Sequence, residues 1–302
     1  MSSNLQARLA AGDFVVTAEI TPPVSADPGE LISRALPLKG LATAVNVTDG
    51  AGAKVHLSSL AAAHFLVQSG IEPIFQMTCR DRNRLALQSD LLGAAALGIR
   101  NILVLAGDDP KAGDQPEAKA VFDLNTRELL SIADGLRREG KLPTGTPVAG
   151  KALFVLGAAD VPVDPAPGWL PKGLVAKAEA GADFVQTQFC MDAGVVRRYA
   201  ARLREAGFKL PVLIGVAPIP SARSARWMRE KLFGTVIPDS IVERLEKASD
   251  PRREGRQICV EIMQELAEIP GVAGAHVMAP QNFADIPRVI EDSGVTARKR
   301  KA

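Results

Sequence analysis

Eight short apolar runs, rich in β-branched residues, punctuate the chain. They are FVVTAEI (14–20), ATAVNVT (42–48), EPIFQMTC (72–79), NILVLAG (101–107), KALFVLG (151–157), DFVQTQF (183–189), PVLIGVAP (211–218) and GVAGAHVM (271–278). Each is bounded by Gly, Pro, Asp or Asn, as strands are. The intervening segments, such as LSSLAAAHFLVQSG, TRELLSIADGLRREG and AGVVRRYAARLREAG, repeat their apolar positions with a helical period, and several end on a C-capping glycine. Eight strands alternating with helices predict an α/β fold, a (β/α)8 TIM barrel forming a single domain over 1–302. The longest insertion, about 221–268, falls between the seventh and eighth strands and reads as two or three helices. The basic end TARKRKA reads as a disordered, solvated tail from about 295 to 302.

Strands of a parallel barrel are covered on both faces and should be apolar throughout. These are not, and the exceptions fall at every second residue. Thr17 and Glu19 share a face of the first strand, Asn46 and Thr48 of the second, Gln76 and Thr78 of the third, and Gln186 and Gln188 of the sixth; His276 adds one in the eighth. Any one of them can be read as satisfying a neighbour's hydrogen bonds in the core. Five strands doing so together, mostly near their C-terminal ends, point to a polar pocket at the barrel mouth. Glu19 is the sharpest exception, because an unpaired buried carboxylate costs several kcal/mol in practice. Asp108 follows Gly107 at the end of the fourth strand; GDDP is an ordinary turn sequence, yet it also brings a second carboxylate to the mouth. Two such groups suit acid–base chemistry or recognition of a donor-rich heterocycle.

Composition removes several classes. Lys and Arg total 36 against 34 Asp and Glu, a formal net charge of +2, and aromatics make up 4%, so nothing points to nucleic acid. Three cysteines, Cys79, Cys190 and Cys259, stand far apart with no CxxC pair; neither a disulfide framework nor a metal site is indicated, and a reducing cytoplasm is the simplest compartment. No segment has the length of a signal peptide's apolar core or of a membrane span. Phosphate-binding motifs of the GxGxxG or GxxxxGK[ST] kind are missing from the strand–helix junctions, although loops and helix N-termini of a barrel can still hold a nucleotide. A Schiff-base barrel needs an inward lysine at a strand end, and no run places one there. His56 and His64 read as exposed residues of a helical segment, Cys79 and Cys190 as small buried hydrophobes, and Trp169 and Phe189 as packing unless a ring stacks on them.

The motifs AEITPP, VNVTDGAG, QMTC, LAGDDP and TQFCMD, in that order, resemble the bacterial type of methylenetetrahydrofolate reductase over roughly residues 13 to 293. The resemblance implies a flavin-containing barrel that interconverts 5,10-methylene- and 5-methyltetrahydrofolate, with FAD between NADH or NADPH and the folate, in one-carbon metabolism and methionine biosynthesis. It implies Glu19 as the acid that helps open the folate's five-membered ring, and Asp108 as a catalytic carboxylate near flavin and pterin. Gln188, with Gln186, Phe189 and Met278, falls on the substrate side. Thr48, Gln76, Ala106, Gly107, Asp108, Lys177 and Ala182 fall on the cofactor side. Partners would be a tetrahydrofolate derivative, no nucleic acid and no membrane, with a homo-oligomer left open.

Departures from that pattern cluster on the flavin side. Ala106 stands where the family has an arginine, Gln76 where it has a histidine, GAADVPVD where it has an aromatic and a histidine, and Cys190 and Met191 where it has phenylalanines. An alternative therefore stands beside the reductase: a divergent folate-binding barrel with weak or no FAD, acting as a methyltetrahydrofolate oxidase or as a subunit needing a redox partner.

Overall fold

The computed structural model describes residues 3–280 and 283–301 of the chain. The strands β1 (Val15–Ile20), β2 (Ala44–Val47), β3 (Pro73–Thr78), β4 (Asn101–Leu105), β5 (Val155–Asp160), β6 (Phe184–Phe189), β7 (Val212–Val216) and β8 (Val272–Val277) pair in parallel, in sequence order, and β8 returns to β1 to close the barrel. The helices that return the chain are α2 (Pro28–Ala35), α3 (Ser59–Gln68), α4 (Arg84–Ala96), α5 (Thr126–Glu139), α6 (Lys172–Glu179) and α7 (Ala193–Glu205); α8 (Ala222–Lys231), α9 (Asp239–Lys247) and α10 (Pro251–Leu266) lie between β7 and β8, and α11 (Ile286–Ser293) follows β8. Among the described residues no helix is long and apolar enough to cross a membrane.

Two apolar layers hold the fold. The larger fills the space between strands and helices, and Gly255 shows how tight it is: a Cβ there would lie 1.7 Å from the Ile219 carbonyl oxygen, so only glycine lets α10 settle on the segment after β7. The smaller is the barrel floor. Val15, Ala44, Ile74, Leu103, Val155, Phe184, Leu213 and Ala273 point inward there, and Leu5 and Leu9 of an N-terminal helix, α1 (Asn4–Ala10), pack beneath them. The Glu72 carboxylate accepts from the first two amides of that helix, Asn4 at 2.6 Å and Leu5 at 2.9 Å, where a negative charge is favoured.

Two expectations need correction. The fifth strand runs over Val155–Asp160 rather than from 151 to 157, because Ala152 and Phe154 are buried in the outer layer before the strand begins. Residues 295–301 of the basic end pack against the chain near residues 12–14 and 268. Phe14 N–H donates to the Arg298 carbonyl, Arg300 N–H to that of Gly12, Val295 is fully buried, and Asp13 bridges Lys299 in an antiparallel pair.

Candidate active site

Above the apolar floor the barrel interior turns polar. Register sets this layer: Glu19 lies beside Asn46, and Thr17 beside His276. Thr17, Asn46, Gln76, Gln186 and His276 are each at most 5% exposed and are wired to one another. Gln186 Nε2 donates to Thr17 Oγ1 at 2.9 Å, and Thr17 Oγ1 lies 3.0 Å from His276 Nδ1. Gln76 Nε2 donates to Glu19 Oε2 at 2.7 Å and reaches Asn46 Oδ1 at 3.4 Å. His276 Nε2 stands 3.6 Å from the same Glu19 oxygen. Glu19 thus sits one step above the layer, its side chain 20% exposed, with one carboxyl oxygen held by its neighbours.

The other predicted residues divide. Thr48 lies at the end of β2 and Gln188 near the end of β6, where its Oε1 accepts from the Phe189 amide at 3.0 Å. Thr48 Oγ1 and Gln186 Oε1 are buried without a hydrogen-bond partner among the described residues, so polar atoms of the mouth remain to be satisfied. Met278 lies over the β7 wall, its Cε 2.7 Å from where a Gly215 Cβ would be. Asp108 is exposed and spends Oδ2 on the Gly52 amide at 3.0 Å, tying the loop after β4 to the loop after β2. Its hydrogen bond runs to that loop, not to Glu19. Ala106 is exposed, and Gly107 turns the chain with φ +97°, where a side chain would strike Arg80 Cβ. Gln76 belongs to Glu19, a partnership its cofactor-side expectation did not foresee. Phe189 points away from the mouth into the outer apolar layer, because it alternates with Gln188. Lys177 lies on α6, outside the barrel, with Nζ on the Ala159 carbonyl at 2.5 Å. Ala182 precedes β6 and so belongs to the opposite rim. Of the bland candidates, His56 lies in the loop before α3 rather than on a helix, its Nδ1 3.0 Å from the Pro22 carbonyl; burial pushes the thiols of Cys79 and Cys190 up to about 11.

Three charged residues near the strand ends escaped sequence reasoning. Asp49 accepts from Thr78 N and Oγ1, at 2.8 and 2.9 Å, from Ser59 Oγ at 2.8 Å, and from Arg82. Arg80 is clamped by Asp81 at 2.6 Å and reaches the carbonyls of Gly50 and Asp108, 3.2 and 3.4 Å away. Asp160 closes β5 and accepts from the Tyr199 hydroxyl at 2.5 Å; burial raises its carboxyl, and burial with the facing carboxylate pushes the Tyr199 phenol far up. Arg80 stands in the charge run TCRDRN and Asp49 in VNVTDGAG, where nothing set either apart; nothing near Asp160 announced the third.

The family's flavin can be tested against this arrangement. Thr48, Ala106, Gly107 and Asp108 lie on the mouth side and leave an unsatisfied hydroxyl. The ammonium of Lys177 is committed to a backbone carbonyl, Ala182 is on the other rim, and Gln76 is turned onto Glu19. The flavin-side positions do not assemble into one cradle.

A family model described as methylenetetrahydrofolate reductase matches residues 4–294. A probable methylenetetrahydrofolate reductase (NADPH) of Caenorhabditis elegans is 28% identical over 250 residues, covering 80% of this chain and 35% of that protein. The 5,10-methylenetetrahydrofolate reductase of Escherichia coli (strain K12) is 25% identical over 202 residues, covering 67% of this chain and 62% of that one. The chain therefore spans less than two thirds of the length of these curated relatives. Among solved structures, an uncharacterised protein from Clostridium thermocellum that binds two copies of 5-methyl-5,6,7,8-tetrahydrofolic acid superposes with a TM-score of 0.65 at 12% identity, covering 96% of this chain and 97% of that one; the likeness is one of fold.

Proposed function

The chain belongs to the methylenetetrahydrofolate reductase family, and from that premise we propose that it interconverts 5,10-methylenetetrahydrofolate and 5-methyltetrahydrofolate at the barrel mouth, with Glu19 as the acid. The observation that carries the reading is the setting of Glu19: an inward carboxyl at a strand end, with Gln76 and His276 gathered on one of its oxygens. The folate ligand described for the Clostridium thermocellum protein of like fold supports a pterin at such a mouth.

The methylene carbon of the substrate bridges N5 and N10. Hydride cannot add to that saturated carbon until its bond to N10 opens and an iminium forms at N5. N10 leaves readily only when protonated, so a carboxylic acid beside it supplies the missing step. Glu19 gives its proton to N10, the carbon–N10 bond breaks, and hydride from a nicotinamide, NADH or NADPH, completes the methyl group. Gln188 and the unsatisfied Thr48 hydroxyl and Gln186 carbonyl offer hydrogen bonds that hold the pterin with its face toward the donor. In the family FAD carries the hydride between nicotinamide and folate; the flavin-side positions here do not fit it, and no step is drawn through it. The three unpaired, buried thiols suit work in a reducing cytoplasm.

Glu19→Gln tests the reading. It should bind 5-methyltetrahydrofolate as the parent does while turnover falls by about 10²–10⁴-fold; a variant that still turns over at the parental rate defeats the assignment. The dispersal of the flavin-side residues favours a second reading, in which the barrel handles folate with weak or no FAD, as a methyltetrahydrofolate oxidase or beside a redox partner. Reduction of 5,10-methylenetetrahydrofolate by NADH or NADPH alone separates the two: the first reading requires it and the second lacks it. On either reading there is no flavin band at roughly 450 nm, and added FAD leaves folate turnover unchanged; a tightly held flavin restores the family's own scheme.

A further inference from the structure

His276 stands beside Glu19 at the seam between β1 and β8, and its ring is 2% exposed. Thr17 Oγ1, which lies 3.0 Å from His276 Nδ1, already accepts from Gln186 Nε2 at 2.9 Å. A hydroxyl that accepts on one side still has its own hydrogen to give. Given to Nδ1, that hydrogen places the N–H of a neutral ring on Nε2, facing Glu19. Electrostatics agrees: a lone pair on Nε2 would face the lone pairs of a carboxylate, whereas an N–H is drawn to them. Gln76 gives its amide hydrogen to the same oxygen, Oε2, at 2.7 Å. With Gln76 bonded to Oε2 and Nε2 turned toward the same atom, Oε1 is the oxygen left for the acid proton. The 3.6 Å separation of Nε2 from Oε2 is longer than a hydrogen bond. An N–H there is attracted more strongly to a carboxylate than to a neutral carboxyl, so the contact gains strength once the proton has left. Only interactions that strengthen in this sense speed a step.

We propose that His276, neutral and protonated at Nε2, locked there by Thr17 and Gln186, is a positioning residue for Glu19. It keeps the acid proton on Oε1 and steadies the carboxylate formed when that proton passes to N10. The inference rests on the folate reading above. In the step the Glu19 O–H bond breaks and an N10–H bond forms; His276 keeps its own proton throughout, and Glu19 takes a new one from water after product leaves. The side chains bonded to the pair or to its partners among the described residues are Thr17 on β1, Asn46 on β2, Gln76 on β3 and Gln186 on β6, all uncharged.

Two substitutions discriminate. A glutamine amide can occupy the place of Nε2, while an asparagine amide can occupy only that of Nδ1. His276→Gln should keep kcat within about fivefold of the parent. His276→Asn and His276→Ala should lower it by about 30- to 100-fold with KM within about threefold. A histidine that merely fills space and satisfies Thr17 gives the opposite order, Asn above Gln, and that order overturns the inference. Nitrogen-15 spectra of the histidine-labelled full chain without folate, with the His276 signals assigned by their loss in His276→Gln, read the tautomer directly. Protonation at Nε2 alone through neutral pH is expected, loosening to a mixture in Thr17→Val; protonation at Nδ1 alone, or an imidazolium at neutral pH, overturns it. A parent chain with no folate turnover but the Nε2–H tautomer sinks the folate reading and leaves the pairing with Glu19 standing.

Discussion

At the scale of single residues, the protein separates its carboxylates by surroundings. Glu19 keeps one oxygen for its neighbours and one for the mouth, whereas Asp160 lies behind the strands, against the hydroxyl of Tyr199, whose ring meets Trp169 at a tilt, centroids 5.8 Å apart. Burial raises the Asp160 carboxyl, with the Tyr199 bond and the Lys177 charge opposing it. The folded chain thus holds this proton more tightly than the unfolded chain. The resulting stability is full below the ordinary value of 3.8 and is lost as pH climbs through the raised one. Asp160→Asn keeps an acceptor for Tyr199 without the charge. Its melting temperature relative to the parent should rise as pH is taken from 3.8 toward neutrality, measured as a series of thermal melts; a difference that stays flat with pH rejects the account. Period-two spacing made Thr17, Glu19, Asn46, Gln76, Gln186 and His276 legible as one inward set. Which of them touch was not legible, because partners depend on the stagger between strands, and no single strand encodes it.

At the scale of elements, alternation of β-branched runs with helical periods was enough to announce eight strands, because parallel strands buried on both faces leave a strong apolar signal. Where that signal misled, burial explains it. Ala152 and Phe154 are as hidden as strand residues without belonging to one, and so drew the fifth strand toward the N-terminus. The basic end misled for another reason: composition cannot tell a solvated charge from a paired one. Arg298 and Lys301 pair with Glu268, and Lys299 with Asp13. The Lys299 ammonium, followed by Arg8, holds the Asp13 carboxyl below the usual range. A lowered carboxyl stabilises above 3.8 and loses that contribution as pH falls through the folded value. Amide exchange over residues 295–301 should therefore accelerate in acid before the barrel itself loosens, and Lys299→Ala should show the faster exchange already at neutral pH. Equal acid sensitivity in tail and barrel would contradict this.

At the scale of the whole molecule, the two rims have different duties. The mouth gathers the polar side chains, with loops braced by Asp49, Arg80 and Asp108; the floor carries stability on the inward apolar residues and the helix beneath them. Leu5 is fully buried in that floor. Leu5→Ala should cost about 2–5 kcal/mol in a denaturant titration while the dissociation constant for 5-methyltetrahydrofolate stays at the parental value. A large loss of folate affinity in that variant would mean that the rims are not independent.

The joining of β8 to β1 has a consequence for assembly. Thr17 and His276 are 259 residues apart and meet only across that joint. A collapsed chain that had built seven strands, with its first and last still apart, would own its acid and lack the partner beside it. Such an intermediate would be compact yet inert, and recovery of turnover during refolding would time the moment at which the ring shuts.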